Sequence, residues 1–529
     1  MVMRGSSPSL RGSIVRKMNC ALLVGCSAMA LAGCGADDIA SPGSGGNVTI
    51  NNPPPTAPTT PTTPPTTTVT AAAGCPTIDD PQGLTDAGTI SGPTGSYRVC
   101  TLPSRINRSV TLRKVTGLLY QISGRVNVGT DGGFAASSAD SNVTLTIEPG
   151  VILFGGTGTS WLAVNRGNKI NAVGTATQPI IFTSRDNVLG LNSDSSQGQW
   201  GGVVLLGRAR ITDCTTGSVG AATCERQTEG AADPALYGGN NDADNSGSLA
   251  YVQIRYSGYV LGADRELQAL TTSGIGSGTR LDHIQVFNSS DDGAEFFGGV
   301  VRMKNYIAVG SDDDSLDADT GVRGLFQYVL LIPRAGAGDA LMEIDSNGFE
   351  ADTPRTNLKV ANFTAIQPNV SSNNDANDQA ATLFRGNSDT TLINGIIATP
   401  NNECIRVNGS GGTPATLVAR SVVLTCNTTK FLGTGSTNAG AVSAAFGSGS
   451  NNNNDAFTST LTAFFINGTN ETAVVATDPK TLDAFFDTTT YIGAVRNSSD
   501  TWYAGWTCNS GTANFGTGNS GLCTSLPTT

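Results

Sequence analysis

Two stretches of this chain superimpose at a fixed offset of 22 residues: LDHIQVFNSSDDGAEFFGG, beginning at Leu281, and VRMKNYIAVGSDDDSLDADTG, ending at Gly321. The offset lays Ile284 on Tyr306, Val286 on Ala308, Ser289 on Ser311, Asp291 on Asp313, Asp292 on Asp314 and Glu295 on Asp317. A further step of 22 lays Tyr306 on Tyr328. Each unit is a short β-rich run, a polar turn and a second short run, which is what one coil of a parallel β-solenoid requires. Adjacent coils would bring the repeated acidic turns about 4.8 Å apart.

Composition agrees. Of 529 residues only 14% are charged, and Gly numbers 66. Thr, Ser and Asn are plentiful where helix formers are scarce, as in all-β extracellular chains. The formal charge of −11 and the lack of any basic-aromatic stretch exclude nucleic acid as a partner and favour cations.

The N-terminus points to export. Arg4, Arg11, Arg16 and Lys17 precede an apolar run from Cys20 to Gly33, too short for a stable span and read as a signal peptide. It ends Leu31-Ala32-Gly33-Cys34, which resembles the lipobox of bacterial lipoproteins. That resemblance implies cleavage before Cys34, its lipidation, and an outer-membrane, cell-surface location. Residues 34–74 then form a Pro/Thr-rich tether, extended where polyproline II forms. Eight cysteines remain. Pairing neighbours in sequence (Cys75 with Cys100, Cys214 with Cys224, Cys404 with Cys426, Cys508 with Cys523) is favoured among many connectivities, and no C-x-x-C spacing suggests zinc.

The folded region is expected over residues 75–430, with an N-terminal cap up to about Gly150. Val143, Leu145 and Ile147 alternate with threonines as in a half-buried strand. The runs IEPGVILFGG, INAVGTATQPIIFTS and WGGVVLLG resemble those of secreted bacterial right-handed parallel β-helix proteins, the pectate-lyase-like solenoids, including surface lipoproteins. The resemblance implies an all-β right-handed parallel β-helix with N- and C-terminal caps. Strand-like cores recur to about residue 425. Residues 431–529 read as a loop-rich capping region, with Tyr491, Trp502, Tyr503 and Trp506 covering the open end and a short helical turn near Asp478-Pro479.

The acidic turns are the main candidate site. Asp291, Asp292 and Glu295 recur as Asp313, Asp314 and Asp317, with Asp312 and Asp319 beside them. Glu343, Asp345, Glu350 and Asp352 are available to the next coil. Stacked carboxylates repel by a few kcal/mol per pair near a surface unless a cation, interleaved basic groups or protons neutralise them. Calcium, with six to eight oxygen ligands, is the simplest neutraliser; turn capping by the Asp side chains is the plain alternative. A second loop, Asp242-Ala-Asp244-Asn245-Ser246-Gly247, opens like a calcium loop but has Gln253 where the closing glutamate belongs.

Similarity to pectate lyases implies a calcium-assisted enzyme with an Arg or Lys as base, for which Arg280, Arg302, Lys304 and Arg323 are candidates. Polygalacturonases share an Asp pair like Asp291-Asp292, yet their Gly-His-Gly and Arg-Ile-Lys motifs have no counterpart here. A two-carboxylate glycosidase would use Asp292 and Asp314. The single histidine, His283, is expected at an outward surface position. The reading is a non-catalytic binding or adhesion module with an acidic, calcium-binding face, for a polysaccharide or a surface protein such as an outer-membrane receptor; the alternative is a polysaccharide lyase or glycosidase on the same face.

Overall fold

A computed structural model describes residues 68–528, apart from 158, 230–234, 263–264, 347–350, 372–379, 387, 410–412 and 519. Cys34, the signal segment, most of the tether and Glu350 lie outside the described residues.

Each coil makes three short strands, and each strand pairs in parallel with its counterpart one coil on. The first face includes Ile152–Gly155 and Ile180–Ser184 and continues through the later halves of the long strands Gly247–Arg255, Arg280–Phe287 and Val300–Val309. The second face is an 11-stranded sheet from Arg105–Ile106 to Phe431–Gly435. The third is made from strands such as Lys169–Val173 and the earlier halves of the long strands, so faces one and three join in one 15-stranded sheet. Side chains from all three faces meet in a continuous apolar core. The parallel β-helix expected from the repeat is therefore what the chain forms.

Where the long strands turn from the third face to the first, one residue per coil takes left-handed backbone. Tyr251, His283, Asn305, Tyr328, Asn362, Asn394 and Ser421 form this column, with φ between 50° and 61°. Asparagine, prominent in the column, tolerates that conformation best among non-glycine residues. The column also corrects one step of the repeat. Phe297 pairs with Asp319, 22 residues on, but Val300 pairs with Arg323, 23 on. The extra residue lies in the turn Thr320-Gly321-Val322, so Tyr306 faces Val329, and Tyr328 occupies the corner.

All four disulfides join sequence neighbours: Cys75–Cys100, Cys214–Cys224, Cys404–Cys426 and Cys508–Cys523. They suit a protein folded in an oxidising, exported environment. No described helix is long and apolar enough to cross a membrane.

Both ends are capped, but the C-terminal cap is built differently from expectation. The first coil is covered by an antiparallel hairpin, Thr85–Gly92 with Gly95–Thr101. At the other end the lid is a helix, Ala439–Phe446, capped by Asn438, with Val442 and Phe446 buried and Phe446 5.5 Å from the Phe431 ring. The C-terminal aromatics do not cover that end. Residues 454–526 instead run back along the outside of the first face as a strap. The strap meets Val423, then Asn394, Asn362, Gln327, Gln285 and Arg255 in turn, and ends against Asn187 and the N-terminal hairpin. First-face strands are therefore apolar on both sides: Ile284, Val286 and Val329 point inward, while Phe287, Ile307, Val309 and Leu330 pack under the strap. Each such side chain, fully buried, contributes roughly 1.5–3 kcal/mol.

Candidate functional site

The acidic residues occupy the second face and the turns that lead into it. On strands Ala294–Phe297, Asp317–Asp319 and Met342–Ile344, Ala294, Phe296, Ala318 and Ile344 enter the core, so alternation turns Glu295, Asp317 and Glu343 outward. Those three carboxyls stand in register, one per coil. Thr271 precedes them in the column and Leu383 follows, so the ladder has three rungs.

The turns add a second row. Asp292 Oδ1 accepts the Asp314 backbone N–H at 2.9 Å, and Asp314 Oδ1 accepts that of Ala340 at 2.7 Å. One oxygen of each thus caps the next coil, as the turn-capping reading expects. Asp291 accepts from Gln268 Nε2 at 3.1 Å. Glu229, Glu266 and Asp339 complete the wall of a cleft of about 300 Å³ that ten carboxyl groups line. Among the described residues its one lining cation, Arg385, is held by Glu343 at 2.6 Å and Asp345 at 3.3 Å.

Burial is the first cause of the resulting electrostatics, and mutual repulsion the second. Asp291, Asp292, Glu295, Asp314 and Asp317 all bind their protons well more tightly than ordinary carboxyls. Glu343 is raised too, despite Arg385. Exposure grades the set: Asp292, Glu295 and Asp314 are at most 5% exposed, whereas Asp291 and Asp317 are half-buried and Asp313 is open. Asp317 Oδ1 is buried and receives no hydrogen bond from any described donor.

Two groups of these acids could hold a cation. Asp291, Asp292 and Asp313 bring one carboxylate oxygen each within 4.8 Å of one another, and so do Asp292, Glu295 and Asp317. An all-oxygen, all-anionic donor set in loose geometry fits a hard divalent cation such as calcium, and not zinc.

A family model described as "Pectate-lyase like beta helix domain" matches residues 134–507. The chain belongs to this family. No curated protein and no solved structure matches it. The matched span includes every residue lining the cleft.

In this pectate-lyase-like helix the remaining candidates are not brought to the cleft. Arg280, Arg302, Lys304 and Arg323 lie on the long strands of the first and third faces, Arg280 paired with Asp282 and Lys304 with Asp487. A lyase-type base from Arg302 or Lys304 is therefore not positioned beside Asp292 and Asp314. Asp242 is clamped by Arg210 and Arg323, which hold its carboxyl well below the ordinary range despite burial. Asp244 Oδ2 accepts the Arg208 backbone N–H at 2.9 Å. The calcium-like loop thus works as a structural clamp, separate from the cleft. His283 is half-buried rather than on the open surface, stacked 4.2 Å from the Tyr251 ring beneath Trp506 and bonded to Asp282 at 2.7 Å. Its strand alternation is overridden by the left-handed corner and the strap.

Sequence reasoning missed Glu229, Glu266, Asp339 and Arg385 as cleft residues. They sit in insertions or on coils whose spacing departs from 22, so no offset aligns them. For Glu229, Glu266 and Asp339 only their acidic type could have hinted at the site, and for Arg385 the sequence carried no signal.

Proposed function

We propose that this family member is an exported binding module in which calcium, held in the second-face cleft, engages a polysaccharide. The observation that carries the reading is the pair of carboxylate triads sharing Asp292. Calcium there would supply positive charge and open coordination positions; the protein's own part is to hold the oxygens and shield them. Asp313 and Asp291 would form the outward, ligand-facing side, and Asp292, Glu295 and Asp317 the enclosed one. Acidic glycans are the favoured class, because a ligand carboxylate can complete the coordination sphere of a metal held at the more open triad. The lipobox-like Leu31–Cys34 supports anchoring through Cys34 to the outer membrane and display at the surface, where a neighbouring surface protein is a further partner.

Binding without turnover is favoured because Arg385, the one cation among the described residues lining the cleft, is engaged by two carboxylates. One observation favours catalysis: burial and neighbouring carboxyls make Asp314 bind its proton more tightly than an ordinary carboxyl, the direction a glycosidase's general acid needs. The test is an assay of the purified protein on acidic and neutral glycans with and without chelator. Calcium-dependent binding without product is expected; turnover that disappears in Asp313→Ala overturns the non-catalytic reading. A Cys34→Ser variant released from the membrane fraction is the expected result for the anchor.

A further inference from the structure

On the third face, away from the acidic cleft, three cations surround a concave site of about 330 Å³ bounded by Arg280, Leu281, Asp282, Arg302, Lys304 and Phe485. Two of the cations are already balanced. Arg280 contacts Asp282 at 2.7 Å, and Lys304 contacts Asp487 at 2.8 Å while lying 5.0 Å over the Phe485 ring. Asp282, the one acid in the wall, is engaged by both Arg280 and His283. Arg302 is exposed and, among the described residues, has no ion pair or hydrogen bond. It is the surplus charge of the site, on a chain whose formal charge is −11.

The sheet register extends the pattern. Arg302, Leu325 and Lys359 stand in one outward column on successive coils. Lys359 is half-buried and likewise lacks an ion partner among the described residues. Two strand spacings, about 9.6 Å, separate the two cations along the stack. A concave site with a surplus cation, a second cation two coils further along and an aromatic ring beside it suits an extended anion more than a compact one. Guanidinium groups take carboxylates bidentately, and an aromatic ring offers an apolar surface to the C–H face of a pyranose.

We propose that the third face carries a second binding site, centred on Arg302 with Phe485 as its aromatic wall, for the carboxylate-bearing residues of an acidic polysaccharide. This site needs no metal ion, and it stands independently of the cleft reading. A glycan chain held here runs along the column toward Lys359.

The experiment is a calorimetric titration of the full chain with an oligogalacturonate of defined length, at low salt and in excess chelator, so that cleft binding through calcium is silent. Binding is expected to persist, to weaken as salt is added, to fall at least tenfold in Arg302→Ala, and to be partly restored in Arg302→Lys. Arg302 is exposed, so the variants should melt with the native protein. No binding in chelator, or an Arg302→Ala variant that binds like the native chain, overturns the proposal. A calcium-dependent component that appears only after the chelator is removed reports on the cleft alone.

Discussion

Replacing Glu295 by glutamine separates what the acidic cleft costs the fold from what it does with a cation. Glu295 is 5% exposed, and burial together with Asp317, Asp292, Glu229 and Asp319 drives its proton affinity up. The folded-state value lies above the unfolded one, so between the two the native state binds more protons. Metal-free stability must therefore fall as pH rises from about 4, by up to about 1.4 kcal/mol per pH unit for each such carboxyl, until its folded value is passed. An isosteric neutral amide removes one charge from that repulsion. In chelator at pH 8, Glu295→Gln should raise the melting temperature and flatten its pH dependence. Calcium reverses the balance. At one hundred times its dissociation constant it should stabilise the native chain by about 2.7 kcal/mol. With roughly 2.1 cal/mol/K of unfolding entropy per residue, residues 65–529 convert that into a rise of about 3 °C. Glu295→Gln should lose much of this rise. Differential scanning calorimetry at pH 5 and pH 8, with and without calcium, reads all four quantities. A variant less stable than native in chelator at pH 8, or a native protein indifferent to millimolar calcium, would refute the reasoning.

Three other perturbations test the frame around the cleft. Arg255, fully buried and pushed down to about 10 by its burial, donates to the carbonyls of Cys523 and Ser525; Arg255→Ala should cost roughly 2–4 kcal/mol and expose the C-terminal strap to limited proteolysis. At the left-handed corner, where Asn362 has φ 50°, Asn362→Val should destabilise by about 1–2 kcal/mol or more, with Asn362→Gly tolerated better, as denaturant midpoints would show. Asp242→Asn should lower stability by about 1 kcal/mol through loss of its Arg210 and Arg323 pairs. Because the Asp242 carboxyl is depressed, that contribution is present above about pH 4 and lost on acidification, and the calcium response of the variant should match the native one.

The coil itself was legible because its register is local. Ile284 opposite Tyr306, Val286 opposite Ala308 and Glu295 opposite Asp317 follow directly from the offset of 22. The heart of the acidic site was legible for the same reason, since Asp291, Asp292, Asp313, Asp314 and Asp317 repeat with the coil. What the repeat could not carry was anything set by an insertion or by distant chain. Glu229 and Glu266 reach the cleft from loops of irregular length, and one extra turn residue moved Tyr328 from strand to corner. The strap was hidden in a subtler way. Continuous apolar runs such as YVLLI in Tyr328–Ile332 signal strands buried on both sides, but they do not say which segment supplies the cover.

That cover changes how the molecule must assemble. A bare solenoid is nearly one-dimensional: coils add to whatever has already formed, and either end can fray without the other. Here the strap, from Asn454 to Leu526, is made after every coil, yet it lies across coils made hundreds of residues earlier and ends beside the N-terminal hairpin. The outer apolar side of the first face therefore stays wet until the strap has emerged, and the Cys508–Cys523 loop within it acts as a fastening after the stack is built. Docking of the strap, more than completion of any coil, is the event that commits this protein to its native state.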